Sequence, residues 1–133
     1  MRTIAVTVFE NETFHPGVEA DLATALIRRV QRDTPWRVTE AATAETTLRG
    51  VIRQVEIRRL TQDTAGGITQ QAAVRVVADF EWRAGTGRVL ARRVGVSATE
   101  SFMPAAGEPL EVGLSAAVEE LAGVILEAMR SGW

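Results

Sequence analysis

The chain has 133 residues, 46% hydrophobic and 24% charged, with a formal net charge of -2, a balance that suits one folded domain over residues 1–133 rather than a disordered chain. It has no cysteine, no tyrosine and a single histidine, His15, which excludes disulfides, thiolate metal sites and cysteine nucleophiles and leaves zinc without its usual ligands. An isoelectric point near 5.5 without a basic stripe argues against nucleic acid as a partner.

Ile4, Val6 and Val8 alternate in residues 3–9, the period of a strand. This opening has neither the apolar block nor the cleavage site of a signal peptide, and no apolar run approaches the ~18 residues of a membrane span. A polar connection, Asn11 to Gly17, leads through Pro16, a residue suited to a helix's first turn. Val18, Leu22, Leu26 and Val30, with Ala25 beside them, then form one helical stripe. Glu19 and Asp21 near its start and Arg28, Arg29 and Arg32 near its end agree with the helix dipole. Asp33-Thr34-Pro35 stops the helix, and Trp36-Arg37-Val38 reads as a short additional strand.

Three longer strands follow. Residues 48–60 carry Val51, Val55 and Ile57 on one parity but Leu48, Ile52 and Leu60 on the other, which indicates a bulge or burial on both faces. Thr61 to Gly67 reads as a loose hairpin turn. Residues 70–83 put Val74, Val76, Ala78, Phe80 and Trp82 on one face, and residues 88–102 do the same with Leu90, Val94, Val96, Ala98 and Phe102. Between them, Gly85-Thr86-Gly87 predicts a three-residue loop with a left-handed glycine. That register sets Val76 against Val96 and Ala78 against Val94, with Asp79 meeting Arg93 on the other face. A last helix opens near Pro109, carries Leu114, Val118, Leu121, Ile125 and Met129 at helical spacing, and can end at Gly132. The fold class is therefore α+β: a two-layer sandwich of two helices on one face of a roughly four-stranded mixed sheet, in the order β-α-β-β-β-α.

Catalytic groups do not converge. His15 has Glu10, Glu12 and Glu19 nearby, but in a strand-to-helix connection where polar side chains normally cap backbone groups. None of the four serines (Ser97, Ser101, Ser115, Ser131) lies in a nucleophile elbow, and the glycine pairs lack the strand-to-helix context of a phosphate loop. All fifteen basic residues are arginine; selection for bidentate anion binding is one reading, and high-GC coding bias, with Ala, Gly, Val and Arg abundant together, is the preferred one. The outer sheet face combines Arg75, Val77, Asp79, Glu81 and Arg93 with the small Gly95, Ser97, Thr99 and Ser101. Arg58 joins them if its strand turns odd positions inward. Such a surface suits an acyl or phosphorylated ligand, or a partner, although an ordinary exposed face looks the same.

The opening Ile4-Ala5-Val6-Thr7-Val8-Phe9-Glu10-Asn11-Glu12-Thr13-Phe14-His15-Pro16-Gly17-Val18-Glu19 resembles the lipopolysaccharide-assembly lipoprotein (LptE) family: a strand, then F-x-N-x-T, then P-G-hydrophobic-Glu leading into the first helix. The resemblance continues through Leu48-Arg49-Gly50-Val51-Ile52, Ala72 to Trp82, and Gly87-Arg88-Val89-Leu90, to a final amphipathic helix. Related openings occur in other envelope lipoproteins, including activators of peptidoglycan synthases and secretion-associated lipoproteins. It implies a non-enzymatic domain without cofactor on the periplasmic side of the outer membrane. The implied partners are lipopolysaccharide and an LptD-like outer-membrane β-barrel, which family members plug and help assemble. Members also carry a signal peptide and a lipid-modified cysteine; this sequence contains neither, so membrane attachment through an N-terminal lipid stays an expectation for the full-length protein. Asn11, Thr13, Pro16 and Gly17 match the signature and are expected to shape the strand–helix turn. Arg58, Arg75 and Arg93 are the candidate lipopolysaccharide-binding residues, and no metal or catalytic residue is expected.

Overall fold

The chain leaves its first strand, β1 (Thr3–Val6), and returns to the same sheet as β2 (Glu10–Asn11) before helix α1 (Val18–Asp33). Then come β3 (Arg37–Val38), β4 (Thr46–Thr64), β5 (Gly67–Ala84), β6 (Val89–Phe102), a short 3-10 turn (Pro104–Ala106) and helix α2 (Leu110–Ser131). The structure, a computed structural model, describes residues 2–64 and 67–131, and their side chains outside 60–70 and 105. The six strands form one mixed sheet in the order β3-β1-β4-β5-β6, with β2 also on β4. β1–β3, β1–β4 and β2–β4 pair in parallel, while β4–β5 and β5–β6 are antiparallel. The expected α+β layering holds. The predicted order gains two strands of two residues each, one of them the segment at Trp36 to Val38.

Both helices pack on one face because each has one apolar stripe to bury. On α1, Val18, Leu22, Ala25, Leu26 and Val30 are all buried; on α2, Val118, Leu121, Ile125 and Met129 are. Pro16 stands before α1 rather than in its first turn, since Gly17 is the N-cap, in the left-handed region at φ 98°. At the far end, Thr34 caps the helix: its N–H and hydroxyl both donate to the Val30 carbonyl, at 3.1 and 2.7 Å. The stop predicted at Asp33-Thr34-Pro35 is thus where the helix ends. Trp82, 1% exposed, packs its ring 4.9 Å from that of Trp36. Gly132, expected to end α2, lies outside the described residues.

The parity break in residues 48–60 is a bulge between Ile52 and Gln54. Before it, Leu48 and Ile52 face the helices; after it Val55 and Ile57 do, opposite the buried Val76 and Val74. Leu60, expected to share the parity of Leu48 and Ile52, has its side chain outside the described residues. Thr61 to Gly67 is no loose turn, because the ladder runs on to Thr64 opposite Gly67; Ala65 and Gly66 lie outside the described residues.

The β5–β6 hairpin starts as predicted. Ala84 N–H donates to Arg88 O at 2.8 Å, and Gly87 takes a left-handed φ of 96°. Its register then shifts twice, between Trp82 and Arg83 and between Ala78 and Phe80. Val76 therefore faces Ala98, and Ala78 faces Val96. Each bulge puts an extra residue on β6 and turns the strand beyond it to the other face. Ala91 enters the core while Val94, expected there, is 73% exposed. Gly95 makes the second bulge with a φ of 73°, which a glycine adopts without strain.

A basic hollow on the helix-free face

The face of the sheet opposite the helices has a hollow of about 440 Å³. Residues 49, 51 and 53 of β4 alternate outward, as do Asp79 and Glu81 of β5. Arg92, Arg93 and Val94 close it on β6, and Thr7, Val8 and Glu10 at the crossing from β1 to β2. Gly50 and Phe80 line it as well. The buried Phe9 ring packs across Gly50, where a Cβ would meet Phe9 Cε2 at 2.4 Å and the Asp79 carbonyl at 2.3 Å. Only glycine lets the β1–β2 crossing pack this closely against β4.

Arg53 organises the charges. Its Nε donates to Asp79 Oδ2 at 2.7 Å, and its NH1 donates to the Glu12 carboxylate at 2.9 and 3.0 Å. Asp79 Oδ1 accepts from the Gly95 N–H at 2.9 Å. Its carboxyl consequently lies below the ordinary value, held there first by Arg53 and then by the Gly95 amide. The expected Asp79–Arg93 pair does not form: the Arg53 guanidinium from β4 takes one oxygen, the bulge amide takes the other, and the register carries Arg93 to Phe80. Glu81 is taken by Arg83 at 2.7 Å. Among the described residues, Arg49 and Arg92 have no hydrogen-bond or ion-pair partner, and Arg93 has only the Arg92 carbonyl, at 2.8 Å. The hollow thus combines the guanidinium groups of Arg49 and Arg92, the second acting on Asp79 through its charge alone, with two exposed apolar side chains, Val8 at 60% and Val94 at 73%; Arg93, opposite the buried Phe80, contributes to the edge of the hollow. Guanidinium groups grip phosphate and carboxylate in two-pronged bonds, and the valines beside them offer apolar surface to a chain.

The three candidate arginines do not share a site. Arg58 reaches the outer face, as expected once the odd positions after the bulge turn inward, and it pairs across from Ala73. Arg75 is close by, with Glu56 3.8 Å away. Arg93, seven residues further along β5, is about 23 Å from the Arg58 level. Sequence reasoning missed Arg49, Arg92, Val8 and Val94. Gly95 inside a strand signals the second bulge, but the first, beside Leu90, turns Arg92 and Val94 outward and has no such mark in the sequence.

The signature residues build the turn before α1. Asn11 Oδ1 accepts from the Thr13 N–H at 2.8 Å and from its hydroxyl at 2.7 Å, while Asn11 Nδ2 donates to His15 O at 2.9 Å and Glu19 Oε2 at 2.7 Å. The Gly17 N–H donates to the same carboxylate at 3.1 Å. Glu19's own amide, then Asn11, lowers its carboxyl below the ordinary range. Glu19 is therefore a cap for the turn, and Glu12 a partner of Arg53; neither is aimed at His15. Among the described residues no group of His, Asp and Glu is placed to hold a metal, and no helix is long and apolar enough to cross a membrane.

The lipopolysaccharide-assembly family model, LptE, matches residues 1–130. A comparison with curated proteins finds no significant match. Among solved structures, the chain is similar to a minor lipoprotein from Acinetobacter baumannii, with 14% identity, TM-score 0.60 and coverage of 98% of this chain and 92% of that one. It is also similar to rare lipoprotein B from Shewanella oneidensis, with 12% identity, TM-score 0.59 and coverage of 98% and 95%. PelC from Paraburkholderia phytofirmans, a dodecamer, matches with 18% identity, TM-score 0.55 and coverage of 96% and 88%. At these identities the structural likeness establishes the fold, whereas the match over residues 1–130 establishes the family: this chain belongs to the LptE family of lipopolysaccharide-assembly proteins.

Proposed function

We propose that this protein is a non-enzymatic assembly subunit that binds an LptD-like outer-membrane β-barrel and assists lipopolysaccharide delivery to the outer leaflet. It acts on the periplasmic side of the outer membrane, tethered there by lipid in its full-length form. The observation that carries the reading, beside the family, is the hollow with Arg49 and Arg92. Their guanidinium groups meet lipid phosphates through charge-assisted hydrogen bonds, while Val8 and Val94 lie along the first carbons of an acyl chain. Arg58 and Arg75, further along the same face, are a second basic patch that a large glycolipid reaches. The chemistry required is binding and release.

The test is direct binding of purified lipopolysaccharide to Arg49→Glu/Arg92→Glu and, separately, to Arg58→Ala/Arg75→Ala. The reading expects the first pair to lose at least tenfold in affinity with an unchanged melting temperature, since charge-assisted bonds contribute roughly 1.5–3 kcal/mol each when water is excluded. Equal affinity of wild type and both double variants removes the lipid role. A second reading, an envelope lipoprotein that acts through protein contacts alone, draws on the fold shared with the dodecameric PelC. It expects a cell-wall synthase or secretion component, instead of a barrel, to co-purify in near-stoichiometric amount from detergent-solubilised outer membranes.

A further inference from the structure

Phe14 stands at the turn into α1 with 98% of its surface exposed. The turn that carries it is held by the bonds from Asn11 to Thr13, His15 and Glu19, and the His15 N–H donates to Thr13 Oγ1 at 3.2 Å. None of these bonds uses the Phe14 ring, so the fold gains nothing from an aromatic residue there. Beside the ring is a groove of about 290 Å³ between the first turns of α1 and α2. Its apolar lining includes Phe14, Pro16, Leu110 and Leu114, and its rim carries the carboxylates of Asp21 and Glu111. Among the described residues neither carboxylate has an ion-pair partner.

From this arrangement we infer that Phe14 and the adjoining groove form a preformed docking point for a protein partner, whose complementary surface is an apolar pocket edged by arginine or lysine. The inference rests on the barrel reading above and assigns that contact to the barrel. A rigid aromatic on an ordered turn loses little entropy on insertion, the property that makes such side chains binding anchors. The acidic rim selects a basic protein surface and is repelled by anionic lipid headgroups, which argues for protein over membrane. The groove lies between the helices and the hollow lies on the opposite face of the sheet, so partner and lipid are held at separate sites.

The experiment titrates the 133-residue chain against the purified translocon barrel of the same organism in detergent micelles. It compares wild type, Phe14→Ala, Phe14→Leu and Asp21→Arg/Glu111→Arg. Expected are a loss of at least thirtyfold for Phe14→Ala with unchanged melting temperature, retention within a few-fold for Phe14→Leu, and about tenfold weakening for the charge reversal. Lipopolysaccharide binding by Phe14→Ala stays at the wild-type level. Barrel affinity of Phe14→Ala within twofold of wild type overturns the docking point and leaves the barrel reading standing. Absence of wild-type binding overturns both. Phe14-dependent flotation with phosphatidylglycerol–phosphatidylethanolamine vesicles, alongside Phe14-independent barrel binding, makes the ring a membrane contact and overturns the protein assignment.

Discussion

Replacing Gly50 by alanine is the sharpest test of how the hollow is built. The added Cβ would lie 2.3 Å from the Asp79 carbonyl oxygen and 2.4 and 2.7 Å from Cε2 and Cζ of Phe9. The carbonyl belongs to a ladder and cannot retreat, and the ring is only 2% exposed in the core, so both β5 and the β1–β2 crossing must shift. Overpacking of this kind costs typically 1–3 kcal/mol and more where backbone has to move; about 2–4 kcal/mol is expected. An unfolding entropy of about 2.1 cal/mol/K per residue makes each kcal/mol worth roughly 3.5 °C in a chain of this length, so the melting temperature should fall by about 7–14 °C. Gly85→Ala is the control, because a Cβ there meets nothing closer than the Glu45 carbonyl at 3.5 Å, and it should melt within about 2 °C of wild type. Adding Phe9→Leu to Gly50→Ala should recover part of the loss but not all, since the carbonyl contact remains. Melting followed by circular dichroism or calorimetry decides the matter. A Gly50→Ala protein melting within about 2 °C of wild type would falsify the placement of the Phe9 ring across β4.

The remaining predictions concern the two polar networks. Asn11→Ala removes the residue that ties Thr13, His15 and Glu19 together; a loss of about 2–3 kcal/mol is expected, with the Glu19 carboxyl rising toward its ordinary value in an NMR titration. An unmoved Glu19 titration would show that Asn11 does not hold that carboxylate. Asp79 has a folded pKa depressed below its unfolded value, so its contribution is complete at neutral pH. It starts to be lost as the pH falls below about 4, and it is gone once the pH passes the folded value. Denaturant unfolding should therefore show wild type and Asp79→Asn furthest apart near pH 7 and converging below about pH 4; a gap independent of pH would show that the charge of the Asp79–Arg53 contact does not stabilise the fold.

Much of the fold was legible in the sequence because periodicity reports which face of an element is buried. The stripes Val18-Leu22-Leu26-Val30 and Val118-Leu121-Ile125-Met129 specify both helices, and the buried run from Val74 to Trp82 specifies the central strand. The Gly85-Thr86-Gly87 loop, the stop at Thr34 and the signature turn at Asn11 to Gly17 are local devices, determined by residues only a few positions apart. The parity break near Ile52 left a bulge or burial on both faces open, and the ladder shows the bulge. The pairing of charges, by contrast, depends on three strands at once. Asp79 lies within reach of arginines on either side; Arg53 from β4 and the Gly95 amide from β6 take its oxygens, and Arg92 is left for the hollow. The residue inserted beside Leu90 sends Val94 outward and carries Arg93 from Asp79 to Phe80, a change that an alternation pattern cannot encode because it counts residues without knowing where the ladder slips. Periodicity and the opening signature settle the layers and the family; long-range competition for hydrogen bonds settles which arginines stay free to bind.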